Sequence, residues 1–201
     1  MLVSIEGNVG CGKSSVLAAL KAGGDGWLTS QEPIEEWGEL LDLYYADPAT
    51  WSLAFNLKVL YTFATIPASV LPGSTRVVER SPTACRHIFG QLAYNDNHLV
   101  PAAWEVFKEY HEMLGWEPDA YIYIDAPAAT CLERIAARGR ACETGIDIEY
   151  LARIEKAYEN LMRFTKVPVY RVDGTRPPGI VEAEITSILA GLNAPRSEES
   201  R

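Results

Sequence analysis

The amino-acid sequence predicts an α/β protein, a five-stranded parallel sheet with helices on both faces. Five short runs rich in apolar and β-branched residues alternate with longer stretches of helical periodicity. The run 120–125 is apolar at almost every position, as expected for a parallel strand that is buried on both faces. Of the 201 residues, 48% are apolar and 22% are charged, so we expect one globular domain over 1–195.

Local signals justify the elements in chain order. The predicted strands are 2–5, 27–30, 76–78, 120–125 and 167–173. The predicted helices are 15–21, 34–46, 49–70, 82–94, 101–115, 127–138, 147–164 and 178–191. Proline marks several boundaries, because Pro33 ends the second strand, Pro72 stops the long apolar helix and Pro82 suits the first turn of the next one. We expect a mobile loop at 138–145 and a disordered tail at 196–201.

The stretch GNVGCGKS at 7–14 fits the phosphate-binding pattern G-x-x-x-x-G-K-[ST], and it stands between a predicted strand and a predicted helix. Glycines let the backbone N–H groups turn toward phosphate oxygens, and the helix that follows points its positive end at the same anion. Lys13 is expected to reach the β- and γ-phosphates, and the Ser14 hydroxyl to bind Mg²⁺. The predicted phosphate-binding residues are Gly7, Asn8, Val9, Gly10, Cys11, Gly12, Lys13, Ser14 and Ser15.

Charge and composition argue against several other classes of protein. The net charge of −9 argues against nucleic acid as the main partner, because phosphate backbones require a basic face. No apolar run approaches the length of a membrane span, and Met1 leads directly into the first strand, so we expect neither a membrane partner nor a signal peptide. The cysteines form no C-x-x-C pair and are expected to be free thiols of a cytoplasmic protein: Cys11, Cys85, Cys131 and Cys142.

Polar motifs follow the first three predicted strands. The phosphate loop follows the first strand, Gln31-Glu32-Pro33 the second, and Glu79-Arg80-Ser81 the third. Because the carboxyl ends of parallel strands meet at one edge of a sheet, we expect a ligand to bind there. Each motif taken alone has a structural alternative, since Glu32 could be a solvated charge and Glu79 with Arg80 a buried ion pair.

With these residues placed, nearly the whole chain resembles the deoxynucleoside kinases, the family of deoxycytidine, deoxyguanosine and mitochondrial thymidine kinases and the broad-specificity insect enzyme. The matching stretches are IEGNVGCGKS at 5–14, QEPIEEW at 31–37, YADP at 45–48, WSLAFN at 51–56, ERS at 79–81 and RIAARGRACE at 134–143. The resemblance implies a P-loop kinase fold.

The resemblance also implies catalytic roles. Glu32 matches the glutamate that takes the proton from the substrate 5′-hydroxyl, and Lys13 joins it as a catalytic residue. Glu79 would either hold Mg²⁺ or share in proton handling, two roles that stay open, and Arg80 would bridge the 5′-oxygen region and the acidic residues. A lid over about 134–146 would clamp the transferring phosphoryl group with the arginines Arg134, Arg138 and Arg140.

On the substrate side, the resemblance assigns Tyr45 and Glu143 to the 3′-hydroxyl of the sugar. Asn56 stands where the family usually has the glutamine that reads the base edge, and its side chain is one methylene shorter. Aromatic and apolar residues would surround the base, although each could equally be core: Trp37, Phe55, Val59, Phe63, Cys85 and Phe89.

The resemblance therefore implies an ATP- and Mg²⁺-dependent deoxynucleoside kinase that forms homodimers through 49–70 and 82–94. We expect a pyrimidine preference, because Cys85 replaces an acidic residue of the family members that favour deoxycytidine and purines, and Phe63 would fill the room that a purine needs. A thymine methyl group buried there contributes about 0.8 kcal/mol. Two alternatives remain, a nucleoside monophosphate (thymidylate) kinase, for which Glu32 would be superfluous, and a non-catalytic scaffold subunit.

Overall fold

The computed structural model describes residues 1–24, 26–66, 70, 73–140 and 143–193. The predicted disordered tail at 196–201, the predicted helix stop at Pro72, and residues 141–142 of the predicted lid lie outside the described residues.

Five parallel strands form one sheet, as predicted. The strands are β1 (Leu2–Gly7), β2 (Leu28–Ser30), β3 (Arg76–Glu79), β4 (Ala120–Asp125) and β5 (Val169–Asp173). They lie in the order β2-β3-β1-β4-β5, so β1 stands in the middle with Val3 opposite Val77 of β3 and Ala120 of β4. The chain order therefore reverses at β1, and a crevice at the carboxyl ends of the strands opens there.

Helices connect consecutive strands and flank the sheet. They are α1 (Lys13–Gly23), α2 (Ile34–Ala46), α3 (Pro48–Ala64), α4 (Pro82–Ala84), α5 (Gln91–Asn95), α6 (Pro101–Leu114), α7 (Ala128–Arg138), α8 (Ile148–Phe164) and α9 (Pro178–Asn193). In the described part of the chain, none of them combines the length and the apolar character that crossing a membrane requires.

Two helical predictions differ from the structure. The helix predicted over 49–70 ends at Ala64, because Thr65 Oγ1 donates to the carbonyl oxygen of Thr62 at 2.7 Å and Ile66 forms an i→i+3 turn with Phe63. The helix predicted over 82–94 contains a π-helical segment, Cys85–Gly90, between α4 and α5. The prediction took Pro72 as the stop, but Pro67 already stands three residues beyond Ala64, and helices usually end before a proline.

Apolar side chains pack in two clusters. One surrounds the sheet and contains Ile5, Leu17, Ile122 and Ile185. The other lies among α2, α3, the π-helical segment and α6, and its buried members are Trp37, Leu41, Val59, Leu60, Phe63, Cys85, Ala93, Leu99, Trp104 and Phe107. The second cluster forms a wall beside the crevice at the strand ends.

Candidate active site

The phosphate loop runs from the end of β1 to the start of α1, and its backbone requires glycine. Gly7 has a φ of 146° and Gly10 a φ of 81°, conformations that residues with a Cβ atom rarely adopt. A Cβ atom on Gly7 would lie 2.7 Å from the carbonyl oxygen of Ile124, and one on Gly10 would lie 2.6 Å from that of Cys131. Glycine therefore lets the loop pass close to β4 and α7.

Lys13 and the start of α1 provide a positive centre inside this loop. The buried Lys13 ammonium donates to the carbonyl oxygens of Gly7 at 3.0 Å and Asn8 at 2.8 Å. α1 has no acidic residue in its first turn, and Gly12 caps it without a side-chain hydrogen bond. The positive end of the helix and the ammonium thus face the same space, an arrangement that suits an anion.

Asn8 shapes the loop and does not face the crevice. Its Nδ2 donates to the carbonyl oxygen of Leu151 in α8 at 2.9 Å, and its Oδ1 accepts from the N–H of Val9 at 2.8 Å. The loop residues that do line the crevice are Val9, Gly10, Cys11, Gly12, Lys13, Ser14 and Ser15.

Glu79 joins the three polar motifs that follow β1, β2 and β3. The Ser14 hydroxyl donates to Glu79 Oε1 at 2.8 Å, and the backbone N–H of Glu32 donates to Glu79 Oε2 at 3.4 Å. The structure therefore brings the phosphate loop, Glu32 and Glu79 together at one edge of the sheet.

Glu32 and Arg80 form an ion pair at the same edge. Arg80 Nη1 donates to Glu32 Oε2, and both side chains are buried to about nine-tenths, with 10% of the Arg80 and 7% of the Glu32 side chain exposed. The guanidinium also lies 5.0 Å from the ring centroid of Phe89. Arg80 has a φ of 61°, a conformation that is costly for a residue other than glycine and that recurs at functional sites.

Burial raises the pKa of the Glu32 carboxyl above its usual value. The charge of Arg80 opposes this shift, and the nearby carboxylate of Glu79 adds to it. Proton acceptors in active sites often show raised pKa values of this kind, and Glu32 is therefore a candidate general base.

A buried hydrogen-bonded cluster behind Arg80 was not predicted. Arg80 Nε donates to the Tyr158 hydroxyl at 3.3 Å, and that hydroxyl donates to Glu6 Oε2 at 3.0 Å. Glu6 Oε1 accepts from Ser4 at 2.8 Å and from Ser81 at 2.6 Å. Glu6 stands inside a recognisable motif, but only the fold reveals that its carboxyl is fully buried.

The crevice is a cavity of about 570 Å³ that extends from the phosphate loop to the second apolar cluster. Aromatic rings form its far wall. Phe55 lies edge-on to Trp37 with ring centroids 5.7 Å apart, and it stacks on Tyr44 at 4.6 Å. The lining contains the predicted substrate-side residues Glu32, Trp37, Tyr45, Phe55, Asn56, Val59, Arg80, Cys85, Phe89 and Glu143.

Asn56 presents its amide from α3 into this cavity. Its Nδ2 donates to the carbonyl oxygen of Ser52, one turn earlier in the helix, at 2.8 Å. The thiol of Cys85 lies 3.9 Å from the Asn56 carbonyl oxygen, and burial raises the pKa of that thiol far above its usual value, so it stays neutral. Asn56, Cys85 and Val59 therefore line this part of the cavity with uncharged side chains.

The structure does not bring Phe63 to the cavity, and the prediction that Phe63 takes the room of a purine needs correction. Phe63 is 2% exposed and packs edge-on against Trp116, with ring centroids 6.3 Å apart. The indole N–H of Trp116 also donates to the Phe63 carbonyl oxygen at 2.9 Å. Phe63 lies one helical turn beyond Val59, where α6 and the chain after it cover the end of α3, so it belongs to the core.

The predicted lid arginines all contact other groups of the protein. Arg138 pairs with Glu143 through both carboxylate oxygens, and Arg140 Nη1 lies 3.4 Å from Glu143 Oε1. Arg134 donates to the carbonyl oxygens of Cys11 at 3.1 Å and Gly174 at 2.8 Å. Arg134 therefore ties the phosphate loop to the turn after β5, whereas Arg138 and Arg140 meet the substrate-side Glu143.

Several lining residues were missed. Tyr44 follows Leu41 at the spacing i, i+3, so helical periodicity could have placed it on the face of α2 that Leu41 occupies, after the non-helical Gly38. Arg176 comes shortly after the fifth strand, as Glu32 comes shortly after the second, so its position could have placed it at the same edge of the sheet. Tyr150 belongs to no motif, and only the packing of α8 against the cavity reveals it.

Comparisons with known proteins agree with this geometry. The family model described as deoxynucleoside kinase matches residues 3–187. A putative deoxynucleoside kinase of Frog virus 3 is 30% identical over 190 residues, which cover 94% of this chain and 93% of the viral protein. Human deoxycytidine kinase is 27% identical, with 79% of this chain and 74% of the human chain covered. A structure of deoxyadenosine kinase from M. mycoides has the same fold, with a TM-score of 0.84, 22% identity, and coverage of 96% of this chain and 100% of that chain.

Proposed function

The chain belongs to the deoxynucleoside kinase family, and we propose that it transfers the γ-phosphate of ATP to the 5′-hydroxyl of a deoxynucleoside in nucleoside salvage. One observation carries the proposal. The Glu32–Arg80 pair lines a single cavity that has the phosphate loop at one end and an aromatic wall at the other. A triphosphate at the loop and a base against the wall would place a 5′-hydroxyl beside Glu32.

The chemistry assigns a task to each group. Glu32 accepts the proton of the 5′-hydroxyl as that oxygen attacks, and the raised pKa of its carboxyl brings it closer to the working pH. Lys13 and the start of α1 stabilise the charge on the transferring phosphoryl group. Arg80 holds Glu32 and faces the 5′-oxygen of the nucleoside. Arg138 and Arg140 approach the phosphates when the lid closes.

Mg²⁺ is part of this proposal, and the residues fit it. The Ser14 hydroxyl and the Glu79 carboxylate are hard oxygen donors, 2.8 Å apart, beside the phosphate loop. An Mg²⁺ ion bound by one or two protein oxygens and the substrate phosphates, as is usual for this ion, would need no further protein ligand. Such an ion would neutralise charge on the β- and γ-phosphates.

We further propose that the preferred acceptors are pyrimidine deoxynucleosides, thymidine and deoxycytidine. The uncharged wall formed by Val59, Cys85 and Asn56 supports this, since it suits the C5 methyl group of thymine. Two of the proteins named above are a deoxycytidine kinase and a deoxyadenosine kinase, so an assay with all four deoxynucleosides is the informative one. The homodimer, the cytoplasmic location and the single domain over 1–195 stay predictions.

The test is phosphate transfer from ATP to the four deoxynucleosides and to thymidine monophosphate, with and without Mg²⁺. We expect Mg²⁺-dependent formation of deoxynucleoside monophosphates, fastest with thymidine or deoxycytidine. Transfer to thymidine monophosphate alone would identify a nucleoside monophosphate kinase instead. Transfer to none of the acceptors would favour a non-catalytic scaffold.

A further inference from the structure

The cluster behind Arg80 connects a fully buried carboxyl to the proposed active site. Tyr158 of α8 is 0% exposed, and its ring stacks on Tyr123 of β4 with centroids 5.7 Å apart. Its hydroxyl is therefore fixed between Arg80 Nε at 3.3 Å and Glu6 Oε2 at 3.0 Å. Arg80 in turn holds Glu32, so an unbroken series of polar contacts runs from Glu6 to the candidate base.

Chemistry fixes the direction of these hydrogen bonds. A guanidinium can only donate, so the Tyr158 oxygen accepts from Arg80 and its hydrogen is left for Glu6. Burial raises the pKa of the Tyr158 hydroxyl well above its usual value, which keeps the hydroxyl protonated. The hydroxyls of Ser4 and Ser81 occupy the other oxygen of Glu6, so this carboxyl has donors on both oxygens.

We infer that Tyr158 and Glu6 are positioning residues for phosphoryl transfer, which hold the Arg80 guanidinium in the orientation that serves Glu32 and the reacting oxygen. The other contacts of Arg80 leave this orientation underdetermined. The Phe89 ring faces the guanidinium without fixing its rotation, and Glu32 loses the negative charge that attracts Arg80 when it accepts a proton. Tyr158 holds Nε from behind, and this contact need not change during the reaction. The inference rests on the proposed function for its kinetic consequences and on geometry alone for the orientation of Arg80.

The decisive variant is Tyr158→Phe, which removes one oxygen and keeps the stacked ring. We expect kcat to fall by about tenfold to a hundredfold, the scale of a lost hydrogen bond to a charged group, while the KM for the nucleoside changes by less than about twofold. Tyr123→Phe is the matched control. Its ring belongs to the same stack, and among the described residues no hydrogen bond joins its hydroxyl to Arg80 or Glu6, so kcat should remain that of the wild type.

The role of Glu6 is tested in a double-mutant cycle with Glu6→Gln. If Glu6 acts through Tyr158, the double variant Glu6→Gln with Tyr158→Phe has the kcat of the slower single variant. If the reductions in kcat of the two single variants multiply in the double variant, Glu6 acts by another route and the proposed series is overturned. Thermal unfolding of all variants distinguishes a loss of packing from a loss of positioning. A purely structural role would lower the melting temperature and leave kcat unchanged at temperatures where the variant is folded.

A direct readout does not depend on turnover. NMR of isotope-labelled arginine side chains should show the Arg80 Nε–H protected from solvent exchange in the wild type and in Tyr123→Phe, and exposed to exchange in Tyr158→Phe. Equal protection in all three proteins would overturn the inference, whatever the activity. An inactive wild type with the expected exchange pattern would instead contradict the proposed function and leave the positioning of Arg80 established.

Discussion

Arg138 and Glu143 hold each other across the proposed lid. Arg138 Nη2 lies 2.7 Å from Oε1 and 2.6 Å from Oε2 of Glu143, and Nε lies 3.1 Å from Oε2. The family resemblance assigns Arg138 to the transferring phosphoryl group and Glu143 to the sugar. In the structure, the two groups that would contact the two substrates are therefore partners of each other.

The variant Glu143→Gln separates these roles. We expect the KM for the nucleoside to rise by about tenfold or more, because an ionised acceptor for the 3′-hydroxyl is lost. The KM for ATP should not rise, because Arg138 is no longer held by a carboxylate. Initial rates with each substrate varied in turn measure both constants. An unchanged nucleoside KM would remove Glu143 from the sugar site.

The variant Lys13→Ala tests the phosphate loop. Turnover should fall by roughly three orders of magnitude, because a charge that stabilises the transition state is removed. The exposed Lys21 at the other end of α1 provides the control, and Lys21→Ala should retain full turnover. Near-normal turnover of Lys13→Ala would refute the assignment. A loss of thermal stability alone would show that Lys13 only ties together the loop carbonyls of Gly7 and Asn8.

The raised pKa of Glu32 predicts the pH dependence of the free enzyme. Glu32 must be ionised to accept a proton, so kcat/KM should fall as the pH drops through a pKa above that of an ordinary glutamate. The charge of Glu79 contributes to this shift. Glu79→Gln should therefore move the fall of kcat/KM at low pH, the acid limb of the profile, to a lower pH, even though this variant also lowers the rate. The exposed Glu35→Gln is the control and should leave the limb in place.

Replacing the base itself provides the companion measurement. Glu32→Gln should lower turnover by about a hundredfold or more while nucleoside binding, measured by calorimetry, persists. If binding collapses and turnover at saturation survives, Glu32 is a binding residue. An acid limb that stays at the same pH in Glu79→Gln would likewise argue that Glu32 is not the titrating group.

Local sequence patterns were sufficient for the sheet and for the edge where Glu32, Glu79 and Lys13 meet. Glycine spacing defines the phosphate loop, and each polar motif stands directly after an apolar run, so the parallel topology alone brings them together. The end of α3 was predicted too far along the chain. Apolar residues continue after Ala64 and the prediction followed them to Pro72, although Pro67 already disfavours a helix at that point.

The sequence could not show which side chains line the cavity and which lie in the core. Val59 and Phe63 stand on the same side of α3 by their spacing, yet Val59 lines the cavity and Phe63 packs against Trp116, which approaches from a distant part of the chain. Phe63 was predicted to line the site and does not, whereas Glu6 was not predicted and is connected to the site through Tyr158. A carboxyl in the first strand has no periodic signal, and its partner Tyr158 lies 152 residues away.

The position of Phe63 changes the prediction about the base. Phe63→Ala should cost about 3–5 kcal/mol of stability, as for a buried aromatic ring, and should leave the ratio of kcat/KM for thymidine over deoxyguanosine unchanged. Val59→Ala is the matched variant on the same helix. It removes two methyl groups from the cavity wall and should lower that ratio, because the wall then has room for a purine and loses apolar contact with the thymine methyl group. The kcat/KM for both nucleosides and denaturant unfolding are measured on the same preparations.

A ratio at or below one in the wild type would overturn the pyrimidine preference and leave the kinase assignment intact. A ratio that moves with Phe63→Ala but not with Val59→Ala would show that the base lies at the Trp116 end of α3 and not beside Asn56.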